Sequence, residues 1–172
     1  MKRTIKYTIS SFMLVITLSF TNPAGADSFT LPAGLACPDF DLTIEITPND
    51  HRVFRVWEDA NGNPVRMLEA GIGADLNFIN ENTGASFSTK ANGSVTHTTV
   101  LPDESLSVSA EGHNVIILFP TDLPQGVGPS TKQYIGRVVY TVHTEGEGEN
   151  AIEIWTLQSF NGRTVDVCAA LS

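Results

Sequence analysis

Phe40–Thr47 reads FDLTIEIT. Leu42, Ile44 and Ile46 recur at every second position, with Asp41, Thr43 and Glu45 between them, so an extended chain carries its aliphatic groups on one face and its polar groups on the other. That pattern predicts a half-buried strand with one wet face. Ser105–Ala110, SLSVSA, alternates as cleanly, setting Leu106, Val108 and Ala110 against three serines. Three further runs are apolar on both faces: NVIILFP (Asn114–Pro120), QYIGRVVYTVH (Gln133–His143) and AIEIWTLQSF (Ala151–Phe160). Strands of that kind belong in the middle of a sheet.

Turn chemistry punctuates these runs. Asn61-Gly62, Asn82-Thr83-Gly84, Asn92-Gly93 and Asn161-Gly162 each separate two strand-like segments, and Asn-Gly favours the positive φ of turns whose twist suits antiparallel neighbours. The best helical candidate, Arg66 to Leu76, contains Gly71 and Gly73 and reads better as strand and turn. Ten or eleven short strands at this spacing predict an all-β protein, a single-domain antiparallel β-sandwich of jelly-roll or Ig-like topology.

One segment interrupts the rhythm. Leu118–Tyr134 reads LFPTDLPQGVGPSTKQY; Pro120, Pro124 and Pro129 oppose regular pairing, while Gly126 and Gly128 permit bends. A connection of this length, residues 120–132, is long for a hairpin and ordinary for a strand passing from one sheet to the other. The expectation is therefore a crossover rather than a binding loop.

The first residues point to a compartment. MKRTIKY carries Lys2, Arg3 and Lys6, an apolar run follows from Ile9 to Phe20, and Ala24-Gly25-Ala26 has the small-x-small form of a signal-peptidase site. Residues 1–26 are thus expected to be a secretory signal and 27–172 the domain of a secreted, extracellular protein. The apolar run falls short of the roughly 20 residues that span a bilayer. Of ten bases, three lie in 1–26 and no acid does, which leaves seven against 19 acids and a mature charge of −12. Such a surface repels phosphate backbones and anionic headgroups, so nucleic acid and membrane are poor partners.

Cys37 and Cys168 are the only two cysteines, one near each end of the mature chain. An even count in an exported chain predicts a disulfide. Closing a loop of about 130 residues stabilises a fold by roughly 5 kcal/mol on the chain-entropy model. A thiol metal site or redox couple would be expected to show the close C-x-x-C spacing, which is missing.

Nothing in the chain forms a catalytic, cofactor or nucleic-acid motif. His51, His97, His113 and His143 are scattered, with His51 and His113 beside Asp50 and Asn114 in expected turns, and no i,i+2 or H-x-x-x-H pair suggests a metal. Asp39 and Asp41 in CPDFD, and Glu145, Glu147 and Glu149, offer weak Ca²⁺ ligands without the D-x-D-x-D-G pattern. No serine stands in a G-x-S-x-G context. The aromatic residues are more suggestive: Trp57 in VFRVWED and Trp155 in AIEIWTLQSF, joined by Tyr134 or Tyr140, would make a stacking platform if they shared an open face. Buried on both faces, they would be core. The expected function is a non-catalytic binding or interaction module for a carbohydrate or protein surface. The alternatives are a small carbohydrate-active hydrolase or lyase using carboxylates, and a structural envelope protein.

The runs LPAGLACPDFDLTIE, GHNVIILFPTDLPQGVGPSTKQYIGRVVYTV and TLQSFNGRTVDVCAAL resemble a group of short exported β-rich proteins of Gram-positive bacteria. The resemblance implies export, a compact β domain and paired terminal cysteines. It brings no activity with it, so no functional residue is transferred.

Overall fold

The computed structural model describes residues 27–48, 51–90 and 92–172; the expected secretory signal, 1–26, lies outside the described residues. The strands are β1 Asp27–Leu31, β2 Leu42–Thr47, β3 Arg52–Glu58, β4 Pro64–Gly71, β5 Asp75–Asn80, β6 Ser86–Thr89, β7 Ser94–Val100, β8 Leu106–Leu118, β9 Ser130–Glu145 and β10 Ile152–Asp166. They form a four-stranded sheet, β1-β2-β5-β6, and a six-stranded sheet, β10-β9-β8-β7-β4-β3. Neighbouring strands are antiparallel throughout both sheets. The all-β, two-sheet architecture predicted by the alternating runs is the one observed.

FDLTIEIT behaves as its pattern requires. Leu42 and Ile44 are buried, and with Phe78 of β5 they form the core between the sheets, against Val115 and Ile117 of β8. The disulfide Cys37–Cys168, with Cα atoms 5.5 Å apart, closes this core at one end. It ties the turn before β2 to α1, Val167–Ala170, a one-turn helix that follows β10. Asp166 caps that helix by accepting from the Ala169 N–H, and Asn80 Nδ2 donates to the Leu171 carbonyl at 2.9 Å. Cys37, Val167, Cys168 and Leu171 are all in the same buried cluster.

Four expectations need correction. The segment after Leu118 is not a crossover: β8 and β9 are hydrogen-bonded neighbours from Leu106↔Val142 to Leu118↔Ser130. It is a long hairpin connection that folds back as a strap. Asp122, 1% exposed, holds it, accepting from the Phe119 N–H at 2.6 Å on one carboxyl oxygen and from the Trp155 N–H at 2.7 Å on the other. Leu123 then bonds to the outer edge of β10 through the Trp155 carbonyl and the Leu157 N–H, both at 2.8 Å. The strap places Val127 against a second core of Ala110, Ile116, Leu118, Tyr134 and Val138.

Second, AIEIWTLQSF lies in β10, at the edge of its sheet and not at the centre. Its apolar face is satisfied by the strap side of the sheet, where Trp155, Leu157 and Phe160 pack on the second core. Third, SLSVSA and NVIILFP are one 13-residue strand, so His113 and Asn114 lie within β8 and not in a turn. Fourth, Asn161-Gly162 is no turn: Gly162 pairs with Gly136 inside β10.

These last two misreadings share a cause. Gly71 pairs with Ser94, Ser94 with Gly112, Gly112 with Gly136 and Gly136 with Gly162, which draws a row of small residues straight across the sheet. At Gly136, φ is +138°, and a Cβ there would stand 2.3 Å from the Asn161 carbonyl oxygen. Neighbouring backbones approach each other here as only glycine allows. The row is a bend line within strands. It is also where β4 ends and β3 and β7 begin, so the chain changes sheets there, between β2 and β3, β4 and β5, and β6 and β7.

Candidate functional site

The register separates the four aromatic residues proposed as a platform. Trp155 and Tyr140 stack with ring centroids 4.7 Å apart and planes 9° from parallel, on the strap face beside the second core. Tyr134 is buried in that core and meets Phe160 edge-on at 5.0 Å. Trp57 stands at the far edge of the sheet, in β3, and pairs across to Arg66; following the pairs through β7 and β8 puts it on the face opposite Trp155. The Arg66 guanidinium covers the Trp57 ring at 4.4 Å in a cation–π contact. Burial, and then the charge of Glu69, push the Tyr140 phenol up to about 12. The Tyr134 phenol is raised as well, first by burial and then by Asp166.

What the structure leaves open is β3. Among the described residues it pairs only with β4, and all seven of its residues are exposed. Phe54 is 62% exposed and Val53 60%, with Val56 and Trp57 also open. Phe54 and Val56 occupy one face; Val53 and Trp57 occupy the other, where Val53 pairs across to Ala70 and Ala70 to Val95. An edge strand of this length is ordinarily blunted by charge, proline or a covering segment. Here Arg52, Arg55 and Glu58 are the only charges.

A second feature lies at the bend line. A cavity of about 220 Å³ opens where the chain passes between sheets, lined among others by Arg52, Lys90, His113, Asn114, Val115 and Gln133. Gln133, 7% exposed, donates from Nε2 to Thr89 Oγ1 at 2.9 Å. Arg52 is paired through Nη1 with Glu69, and its Nη2 lies 3.5 Å from Ser94 Oγ. Among the described residues, His113 Nδ1 on the cavity face of β8 and Asn114 Nδ2 on its strap face are buried with no hydrogen-bond partner, an arrangement that costs about 1–3 kcal/mol for each group. Sequence reading missed this site. Its residues come from β3, β5, β6, β7, β8, β9 and the links between them, and no short motif joins them.

Among the described residues, no group of three His, Cys, Asp or Glu side chains is placed to hold a metal ion. Asp41 of CPDFD accepts from the Ala33 N–H at 2.8 Å, and His143 contacts Glu145 at 3.1 Å. Both are local contacts. No helix among the described residues is long and apolar enough to cross a membrane. No family model, no curated protein and no solved structure matches the chain.

Proposed function

We propose that the protein is an exported, non-catalytic interaction module that engages a polypeptide partner along the free edge of β3. The observation that carries this reading is β3 itself: a seven-residue outer strand, exposed along its whole length, with Val53, Phe54 and Val56 open and Trp57 part-exposed beneath Arg66. A partner segment adding as a further strand gains main-chain hydrogen bonds, and alternating pockets for its side chains give it specificity. Arg52, Arg55 and Arg66 are spread along this edge, Arg52 paired with Glu69, in a chain whose mature charge is negative, so a strand bearing acidic residues between apolar ones fits best. A sugar-stacking platform is the weaker form of the reading, because Trp57 is on the other face from Trp155 and Tyr140, and Tyr134 is buried.

The test is selection of extended peptides against the oxidised mature protein, followed by hydrogen exchange. Selected binders should slow exchange of the β3 amides and lose affinity by tenfold or more, about 1.4 kcal/mol, against Phe54→Ser/Val56→Ser. Binders that leave β3 unprotected, or glycans bound in preference to any peptide, would refute the proposal. Concentration-dependent self-association abolished by the same double variant would identify the partner strand as a second copy.

A further inference from the structure

We propose that the cavity at the bend line binds a small organic carboxylate. This goes beyond the β3 reading and stands independently of it, although Arg52 opens β3 and also lines the cavity. The chain holds 19 acids against ten bases, yet among the described residues the lining contains Arg52, Lys90 and His113 and no carboxylate. A concave site with one sign of charge concentrates the opposite sign from solution.

The polar groups in the lining are unfinished in a way that an anion completes. His113 Nδ1, without a partner among the described residues, is a donor in the tautomer protonated at that nitrogen; it shares the cavity face of β8 with Val115, whereas Asn114 is on the strap face with Ile116 and Tyr134. A buried group of this kind normally has a partner, so an unpaired nitrogen beside a cationic cavity calls for a missing acceptor. Glu69 does not line the cavity, yet it holds one arm of the Arg52 guanidinium and leaves Nη2 near Ser94. Gln133 is fixed by Thr89. Both side chains are thus held in place before any ligand arrives, which lowers the entropic cost of binding.

The apolar part of the lining selects among anions. Ala74, Leu76 and Val115 make up its hydrocarbon wall. A carboxylate with a short aliphatic tail meets both the cationic and the apolar sides; inorganic phosphate meets only the first. The volume, about 220 Å³, admits several water equivalents of roughly 30 Å³ each, which suits a ligand of a few heavy atoms.

The experiment is a heteronuclear NMR titration of the oxidised mature chain with acetate, butyrate, succinate, inorganic phosphate and, as a neutral control, glycerol. Butyrate or succinate should give saturable shifts at His113, Val115 and Gln133, with phosphate weaker by about fivefold or more. Lys90 is exposed, so Lys90→Glu should fold normally and weaken carboxylate binding by about tenfold. His113→Phe removes the unpaired nitrogen; it should raise the melting temperature while weakening the ligand. A purely structural role for His113 would not give that pair of effects. The inference is overturned if no anion produces saturable shifts at these residues, if phosphate or glycerol binds as well as the carboxylates, or if Lys90→Glu leaves affinity unchanged. None of these outcomes bears on peptide binding at β3.

Discussion

The two ends of the six-stranded sheet are made of similar residues and meet opposite fates. Beyond the glycine row, β8 and β9 are covered on both faces: Val115 and Ile117 pack on the four-stranded sheet, while Ile116, Leu118 and Tyr134 lie in the core on the strap side. At the other end, β3 leaves Val53, Phe54 and Val56 exposed, and Trp57 has only the Arg66 guanidinium over its ring among the described residues. Apolar content is alike; cover is not. The lesson is that apolar side chains on both faces of a strand report that something is needed on both faces, and whether the fold supplies it is decided elsewhere in the chain. For β3 the cover we propose is a partner strand.

The largest expected effect is at the covered end. Reducing Cys37–Cys168 frees a span of 131 residues and should cost roughly 5 kcal/mol, measured by urea unfolding with and without reductant. A shift in midpoint too small to detect would mean that α1 and the turn before β2 stay docked through packing alone. Phe78, wholly buried between the sheets, is next: Phe78→Ala should lose about 3–5 kcal/mol.

The strap ranks below these. Asp122→Ala leaves the Phe119 and Trp155 N–H groups without their acceptor and should cost about 2–4 kcal/mol. Its signature is local: the Tyr140 and Trp155 resonances should broaden or move while those of Phe78 stay put. A variant as stable as the parent would show that Leu123 and Val127 hold the strap without the carboxyl group.

Much of the covered end was legible in the sequence. Alternation at Leu42, Ile44 and Ile46 located β2, and a chain with two cysteines left one pairing. Asn61-Gly62 and Asn82-Thr83-Gly84 marked true hairpins, with Gly62 N–H bonding Asp59 and Gly84 N–H bonding Asn80. The same dipeptide misled at Asn161-Gly162, because glycine serves a bend within strands as readily as a turn between them, and only the register of five strands tells the two apart. Leu118–Tyr134 misled because length and proline content describe a connection without saying where it returns; Asp122, which settles that, bonds to a strand more than 30 residues away. The cavity was illegible for a similar reason. His113 and Asn114 look like turn residues until β8 is seen to run through them.

Alkaline titration separates strap from edge more finely. Outside residues 1–26 the tyrosines are Tyr134 and Tyr140, and both are raised, Tyr140 to about 12. A folded value above the unfolded one means that the neutral phenol stabilises the fold below pH about 10, and that this contribution is lost as pH climbs through the folded value. Tyrosinate absorbance should therefore lag well above pH 10 in the native protein and return to the ordinary value in urea. In Asp122→Ala the lag should shrink, since the strap shields the Tyr140–Trp155 stack. Titration of both tyrosines at the ordinary value in the folded parent would mean that the stack is wetter than its geometry indicates.

The smallest stability effect belongs to the open edge, and there smallness is the point. Phe54→Ser removes an aromatic ring of the same size as that of Phe78, from an open edge strand rather than from the core. At 62% exposure it should change unfolding free energy by no more than about 0.5 kcal/mol. A loss near that of Phe78→Ala would mean that β3 is covered in solution and that the ring is structural. A near-zero change, combined with loss of peptide binding, would leave Phe54 with no role in holding the chain together and a clear one in holding something else. That separation of stability from binding marks a surface retained for a partner, because an apolar ring exposed to water on an edge strand otherwise only invites aggregation.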